Sequence, residues 1–169
     1  MSKSSRSNSR AKRKPDLGWL IVALILFAAA AATWSFLSKR ETSRADPDDR
    51  DQVARGQAVY EQHCASCHGL RLEGQPNWQT RLPNGRMPAP PHDASGHTWH
   101  HPDRVLFGIT KEGLVPGRYA PPGYQSDMPG FGGVLADSDI WAVLAYIMSR
   151  WPERARVAQR DIDARNRSR

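Results

Sequence analysis

Cysteine is scarce in this chain: 169 residues hold only two, Cys64 and Cys67. A structural zinc site needs four donors, and the second cysteine pair is missing. A single disulfide between these two is possible outside the cell, yet it would close a tiny loop and leave His68 unexplained. Convincing strand patterns are also absent, which removes the βαβ context that a thioredoxin-like thiol pair requires. There is no internal repeat. Finally, the central part of the chain lacks any excess of positive charge. The formal charge of +7 sits at the ends. Residues 1–50 carry ten Lys/Arg against five Asp/Glu, residues 51–151 eight against nine, and residues 152–169 six against three. Basic ends beside a membrane are expected without nucleic acid, so no nucleic-acid partner is inferred.

What is present begins with one long apolar run. Residues 17–37 contain 21 residues without a charge, and as a helix they extend about 31 Å, near the ~30 Å hydrocarbon thickness of a bilayer. Trp19 and Trp34 stand near its two ends, where amphipathic rings favour the interface. Six basic residues precede the run and four follow it within the linker. The balance favours an N-terminus inside and the rest of the chain outside. The alternative is a cleaved signal peptide, because Ala28 to Ala32 offer small-residue cleavage sites. The run is longer than a usual signal core, and Trp34 and Phe36 continue it past the alanines. The expected organisation is a disordered basic N-terminus (1–16), a transmembrane anchor (17–37), a polar linker (38–50), a folded domain (51–151) and a basic C-terminal tail (152–169). At full extension the 13-residue linker reaches about 45 Å.

Within the folded part, Val53, Gly56, Tyr60 and Cys64 recur at helical steps from about Asp51, and the pattern stops at Gly69. From Leu70 to Pro129, proline and glycine punctuate the chain too densely for long regular elements. One short helix is expected there, with Pro102 at its start, Asp103 in its first turn and Gly113 past its end. Sixty mostly irregular residues suit a compact domain only if a large apolar body lies among them. The last helix is clear: Ile140, Val143, Leu144, Ile147 and Trp151 share a face, Asp137 or Ser138 can cap its start, and Pro152 marks its end. The charged residues beyond read as a frayed helical extension.

The two cysteines and the next residue form C-A-S-C-H. Two thiols spaced this way add across the two vinyl groups of a haem and fix its face, and the following imidazole then reaches the iron. Cys64 and Cys67 are thus the covalent attachment points of one haem c, and His68 is the proximal ligand. The sixth position has several candidates: Met128 in D-M-P-G-F, Met87 in R-M-P-A, and His63, His92, His97, His100 and His101. A thioether favours ferrous iron, and Met128 is preferred.

In this order of motifs the chain resembles a class I cytochrome c, the His/Met-ligated monohaem family, over residues 51–151. The positions carrying the likeness are Gly56 and Tyr60, C-A-S-C-H-G, M-P-G-F, and A-V-L-A-Y-I with Val143 and Tyr146. The resemblance implies a small all-α fold in which the first and last helices cross at the glycine, with aromatic packing beside it. It also implies an electron-transfer protein rather than an enzyme. Three features depart from the family pattern. Ala136 replaces the usual Ser/Thr cap of the last helix. Gly74-Gln75-Pro76 lies unusually close to the haem motif, with Pro76 a candidate for the carbonyl that accepts a bond from His68. G-H-T-W-H-H-P-D has no counterpart in the minimal core, and His97, His100 and His101 suggest either a second metal or mutual packing under a loop.

The expectation is a membrane-tethered cytochrome of a bacterial inner membrane, haem domain on the periplasmic side, passing single electrons between redox partner proteins. A fixed haem subunit of a dehydrogenase or oxidase complex is the alternative. A catalytic or gas-sensing haem would need a distal acid–base group that the sequence does not supply. A metal chaperone built on the His/Met loop is a third class.

Overall fold

The computed structural model describes residues 17–38 and 44–167. The expected disorder of residues 1–16 and most of the linker's first half lie outside the described residues. The chain divides into two units, Met1–Arg40 and Glu41–Arg169. The first contains one helix, α1 (Leu17–Ser38), apolar on all sides. Its side chains are described from Gly18 to Ala31. Among the described residues no helix is long and apolar enough to cross a membrane.

The second unit is all-α. It holds α2 (Arg50–His63), α3 (Ala65–His68), a 3-10 turn (Thr98–His100), α4 (Asp103–Glu112), α5 (Asp137–Ser149) and α6 (Glu153–Arg167). The expected continuous helix up to Gly69 is in fact two, because the axis breaks at Cys64. Asp49 caps α2, its carboxylate accepting from the amides of Asp51 and Gln52 at 3.0 and 3.1 Å. Gly69, at φ +78°, ends α3 in a conformation that glycine adopts without strain.

Helix α5 is the spine of this unit. Every residue from Ala142 to Met148 is buried, and α2 is the element it packs against most closely. The crossing point is Gly56: a Cβ there would land on the Ala142 carbonyl and press on Tyr146. Tyr60, fully buried, lies one turn on with its ring 5.4 Å from that of Tyr146. The expected crossing of first and last core helices is therefore present. The expected cap of α5 is not. The N-cap residue is Ala136, without a side-chain bond. Asp137 instead pairs with Lys111 at 2.7 Å, and Asp139 with Arg55 at 2.6 Å. These carboxylates still face the positive end of the helix dipole, but they are used to tie α5 to α4 and α2.

Helix α4 begins after Pro102 and ends at Gly113, φ +83°, as its sequence predicts. The C-terminal segment is helical, as expected, but it is docked and not frayed: α6 buries Ala155, Gln159 and Asp163. Gln159 Nε2 donates to Asp103 Oδ1 at 2.6 Å, and the Asp103 amide donates to Asp163 Oδ1 at 3.1 Å, so α6 docks on the start of α4. The linker too is shorter than expected. Residues 44–49 lie on the second unit: Gln52 Nε2 donates to the Arg44 carbonyl at 3.0 Å, the Asp46 amide donates to Gln52 Oε1 at 2.6 Å, and Ala45 is buried.

Candidate haem-binding site

Cys64 lies at the break between α2 and α3, where one residue serves as C-cap of the first helix and N-cap of the second. Cys67 is one turn later and exposed, and both thiols are unpaired. Burial, with a smaller contribution from Cys67, pushes the Cys64 thiol up to about 11. That is the reverse of a redox-active C-x-x-C, whose nucleophilic thiol is lowered. His68 closes the motif and is buried. Its Nδ1 donates to the Pro90 carbonyl at 2.8 Å, which leaves Nε2 with the free lone pair that a metal ligand needs. Burial lowers the His68 pKa, and the Pro90 bond opposes this in part, so the ring is kept neutral and able to donate.

The carbonyl partner corrects the expectation of Pro76. Two stretches hold Pro90 in place. The loop after His68 turns back through Leu72, φ +70°, and Gly74, φ +69°. The Gln75 amide then donates to the Ala89 carbonyl at 2.9 Å, Gln75 Oε1 accepts from the Ala89 amide at 2.8 Å, and the His92 amide donates to the Leu72 carbonyl at 2.8 Å. A side chain at Gly74 would collide with the Pro90–Pro91 backbone. The glycine and glutamine beside Pro76 thus hold the carbonyl from a distance instead of leading into it. The Tyr60 hydroxyl donates to the Gly69 carbonyl at 2.8 Å and ties the end of the motif to the α2–α5 core.

The two methionine-bearing segments run side by side. Met87 forms a bridge with Ser126, its amide donating to the Gln125 carbonyl at 3.2 Å, and Arg86 pairs with Asp127 at 2.6 Å. Met128 is half-buried, and its own amide donates to Ser126 Oγ at 3.1 Å. Beyond it the Phe131 and Gly132 amides donate to the Thr110 and Lys111 carbonyls, each at 2.9 Å, at the end of α4. The Phe131 ring meets His63, the residue before Cys64, edge to face at 6.2 Å.

The remaining histidines separate by role. His92 stacks on His68, ring centroids 3.9 Å apart and planes 21° from parallel. Two rings stacked face to face lie on the same side of any plane that His68 Nε2 would coordinate, so His92 is no rival for the sixth position. His97 stacks on Trp78 at 5.4 Å and meets His101 edge-on at 5.5 Å, while His100 abuts Trp99. These rings pack against aromatic partners, and among the described residues no group of three or more His, Cys, Asp or Glu is placed to hold a metal ion. The second-metal expectation thus finds no support.

Two free thiols one helical turn apart, and a buried imidazole with one nitrogen already committed, form the donor set that a covalently bound haem requires. The family model described as Cytochrome c matches residues 53–151. No curated protein and no solved structure matches the chain.

Proposed function

The chain belongs to the cytochrome c family, and from that premise we propose that it is a class I, His/Met-ligated monohaem carrier of single electrons, tethered to a bacterial inner membrane by residues 17–37 with its haem domain in the periplasm. The observation that carries the reading is the His68–Pro90 bond beside two unpaired thiols. It supports Cys64 and Cys67 as the covalent attachment points and His68 as the proximal ligand. The haem, when bound, supplies Fe(III)/Fe(II) cycling. The protein holds the imidazole buried, neutral and oriented.

Met128 is the proposed sixth ligand. Its loop is latched to the end of α4 and reaches His63, beside the haem cysteines, through Phe131. Met87 belongs to the stretch whose Pro90 holds the proximal histidine. The tether rests on the sequence alone, on the 21-residue uncharged run at residues 17–37; the described residues of α1 are not by themselves long and apolar enough to cross a membrane.

Spectroelectrochemical titration of the haem-matured protein tests the ligand set. Cys64→Ala and Cys67→Ala should each leave little holoprotein. Met128→Ala should abolish the weak long-wavelength ferric band of sulfur–iron ligation and lower the potential, while Met87→Ala should keep both. Loss of that band in Met87→Ala alone would reassign the sixth ligand, and haem that extracts into acidified solvent would overturn covalent attachment.

A further inference from the structure

His92 is held from four directions. Its amide donates to the Leu72 carbonyl at 2.8 Å, and its carbonyl accepts from the Trp151 indole at 2.7 Å. Its Nδ1 bonds the hydroxyl of buried Thr98 at 2.9 Å, and Tyr60 meets its ring edge-on at 6.5 Å. The residue keeps some exposed surface, yet the atoms around its ring hold the imidazole neutral: burial, then His68 and His97, set its pKa well below the ordinary value. All of this anchoring converges on one flat contact, the 3.9 Å stack on His68. The His68–Pro90 bond alone leaves the His68 ring able to rock about the axis of that bond. A fixed flat neighbour removes that freedom.

We propose that His92 is a positioning residue for the proximal ligand: by stacking on His68 it fixes the plane of that imidazole and the strength of its bond to Pro90, and so helps set the reduction potential. The inference rests on the haem reading above. Its chemistry runs through the ligand's basicity. A firm Nδ1–H bond to a carbonyl makes the imidazole more electron-rich and favours ferric iron. A ring free to rock loosens that bond and favours ferrous iron. A residue that merely fills space would change stability and leave the potential alone.

The test uses the full chain, matured with haem, and three variants. His92→Leu fills the space without a flat face. His92→Phe keeps the ring but loses the Thr98 bond, and Thr98→Val keeps the histidine but loses its anchor. At a fixed solution potential, His92→Leu should raise the Fe(II)/Fe(III) ratio about threefold, equivalent to about 28 mV at 59 mV per tenfold for one electron. His92→Phe should return most of the way to wild type, and Thr98→Val should give a smaller rise. The spread of haem-methyl shifts in the ferric NMR spectrum, which follows the axial imidazole plane, should change in His92→Leu and recover in His92→Phe. Phe behaving like Leu would assign any shift to polarity and overturn the stacking role. A wild-type potential and methyl pattern in both His92→Leu and Thr98→Val would overturn it too, even if melting temperatures fell. Should His92→Leu fail to mature, Thr98→Val decides by the same criterion. A wild-type chain without covalent haem is a separate result and overturns the haem reading along with this one.

Discussion

Gly56 and Tyr60 illustrate how single residues set this fold. A methyl group at Gly56 would occupy the position of the Ala142 carbonyl. Neither helix backbone can yield without parting α2 from α5, so Gly56→Ala should destabilise the holoprotein by about 2–3 kcal/mol, read as a lower urea midpoint with an unchanged slope. Gly74→Ala acts on the site instead. The new side chain would meet the Pro90–Pro91 backbone in a left-handed conformation that alanine resists. It should displace the Pro90 carbonyl from His68 and raise the reduction potential. A wild-type potential in a folded Gly74→Ala holoprotein would sever that link. Gly56, Tyr60, Val143 and Tyr146 were legible as packing positions through the resemblance to a class I cytochrome c, and Cys64, Cys67 and His68 stood out as one C-x-x-C-H run. Pro90 was not legible: its carbonyl meets His68 across 22 positions, and only the paired turns at Leu72 and Gly74 bring them together. His92 was equally hidden, since a histidine among prolines announces neither burial nor stacking.

At the level of elements, the same distinction separates α4 and α5 from α6. The first two show apolar faces at helical spacing and end on recognisable signals. Helix α6 buries Ala155, Gln159 and Asp163, a face that reads as solvated, because what docks it is mainly hydrogen bonding to the start of α4, with Ala155 its one residue in the apolar core. That docking has a pH signature. Burial, then the neighbouring Asp163 carboxylate, raise the Asp103 pKa; the bond from Gln159 and the charges of Arg167 and Arg44 oppose the shift. A carboxyl whose folded pKa exceeds its unfolded value favours the fold at low pH, and that contribution is lost as pH rises through the folded value. Above the ordinary value of 3.8, then, ionised Asp103 carries a cost that an amide avoids. Asp103→Asn keeps an oxygen for Gln159, and in melts from pH 4 to 7 its stability relative to wild type should rise with pH. A difference independent of pH would show that Asp103 is not the titrating group.

At the scale of the whole molecule, the docked strap at residues 44–49 shortens the free linker on which the proposed membrane tether would depend. The sequence suggested 13 free residues. With the Arg44 carbonyl and Asp46 amide held by Gln52, the stretch from Ser38 to Arg44 spans at most about 22 Å. On the proposed membrane-tethered reading, so short a linker would raise the effective concentration of the haem domain at membrane partners only within that reach, and would exclude partners whose docking sites stand farther out. Gln52→Ala together with Asp48→Ala, which removes the 2.6 Å pair with Arg156, should release the strap and extend the maximum span toward about 45 Å. In native membranes a swinging carrier should then deliver electrons faster to distant sites, at an unchanged potential, and deleting residues 39–43 should slow delivery. A third arm removes residues 1–37 behind a cleavable signal. It should give a protein with the same haem spectrum, whose electron delivery falls on dilution and recovers with concentration. If the Gln52→Ala, Asp48→Ala double variant and the 39–43 deletion both leave turnover unchanged while the protein stays in a stoichiometric complex through detergent extraction, the haem does not travel. The tether then serves assembly, and the fixed-subunit reading replaces the mobile carrier.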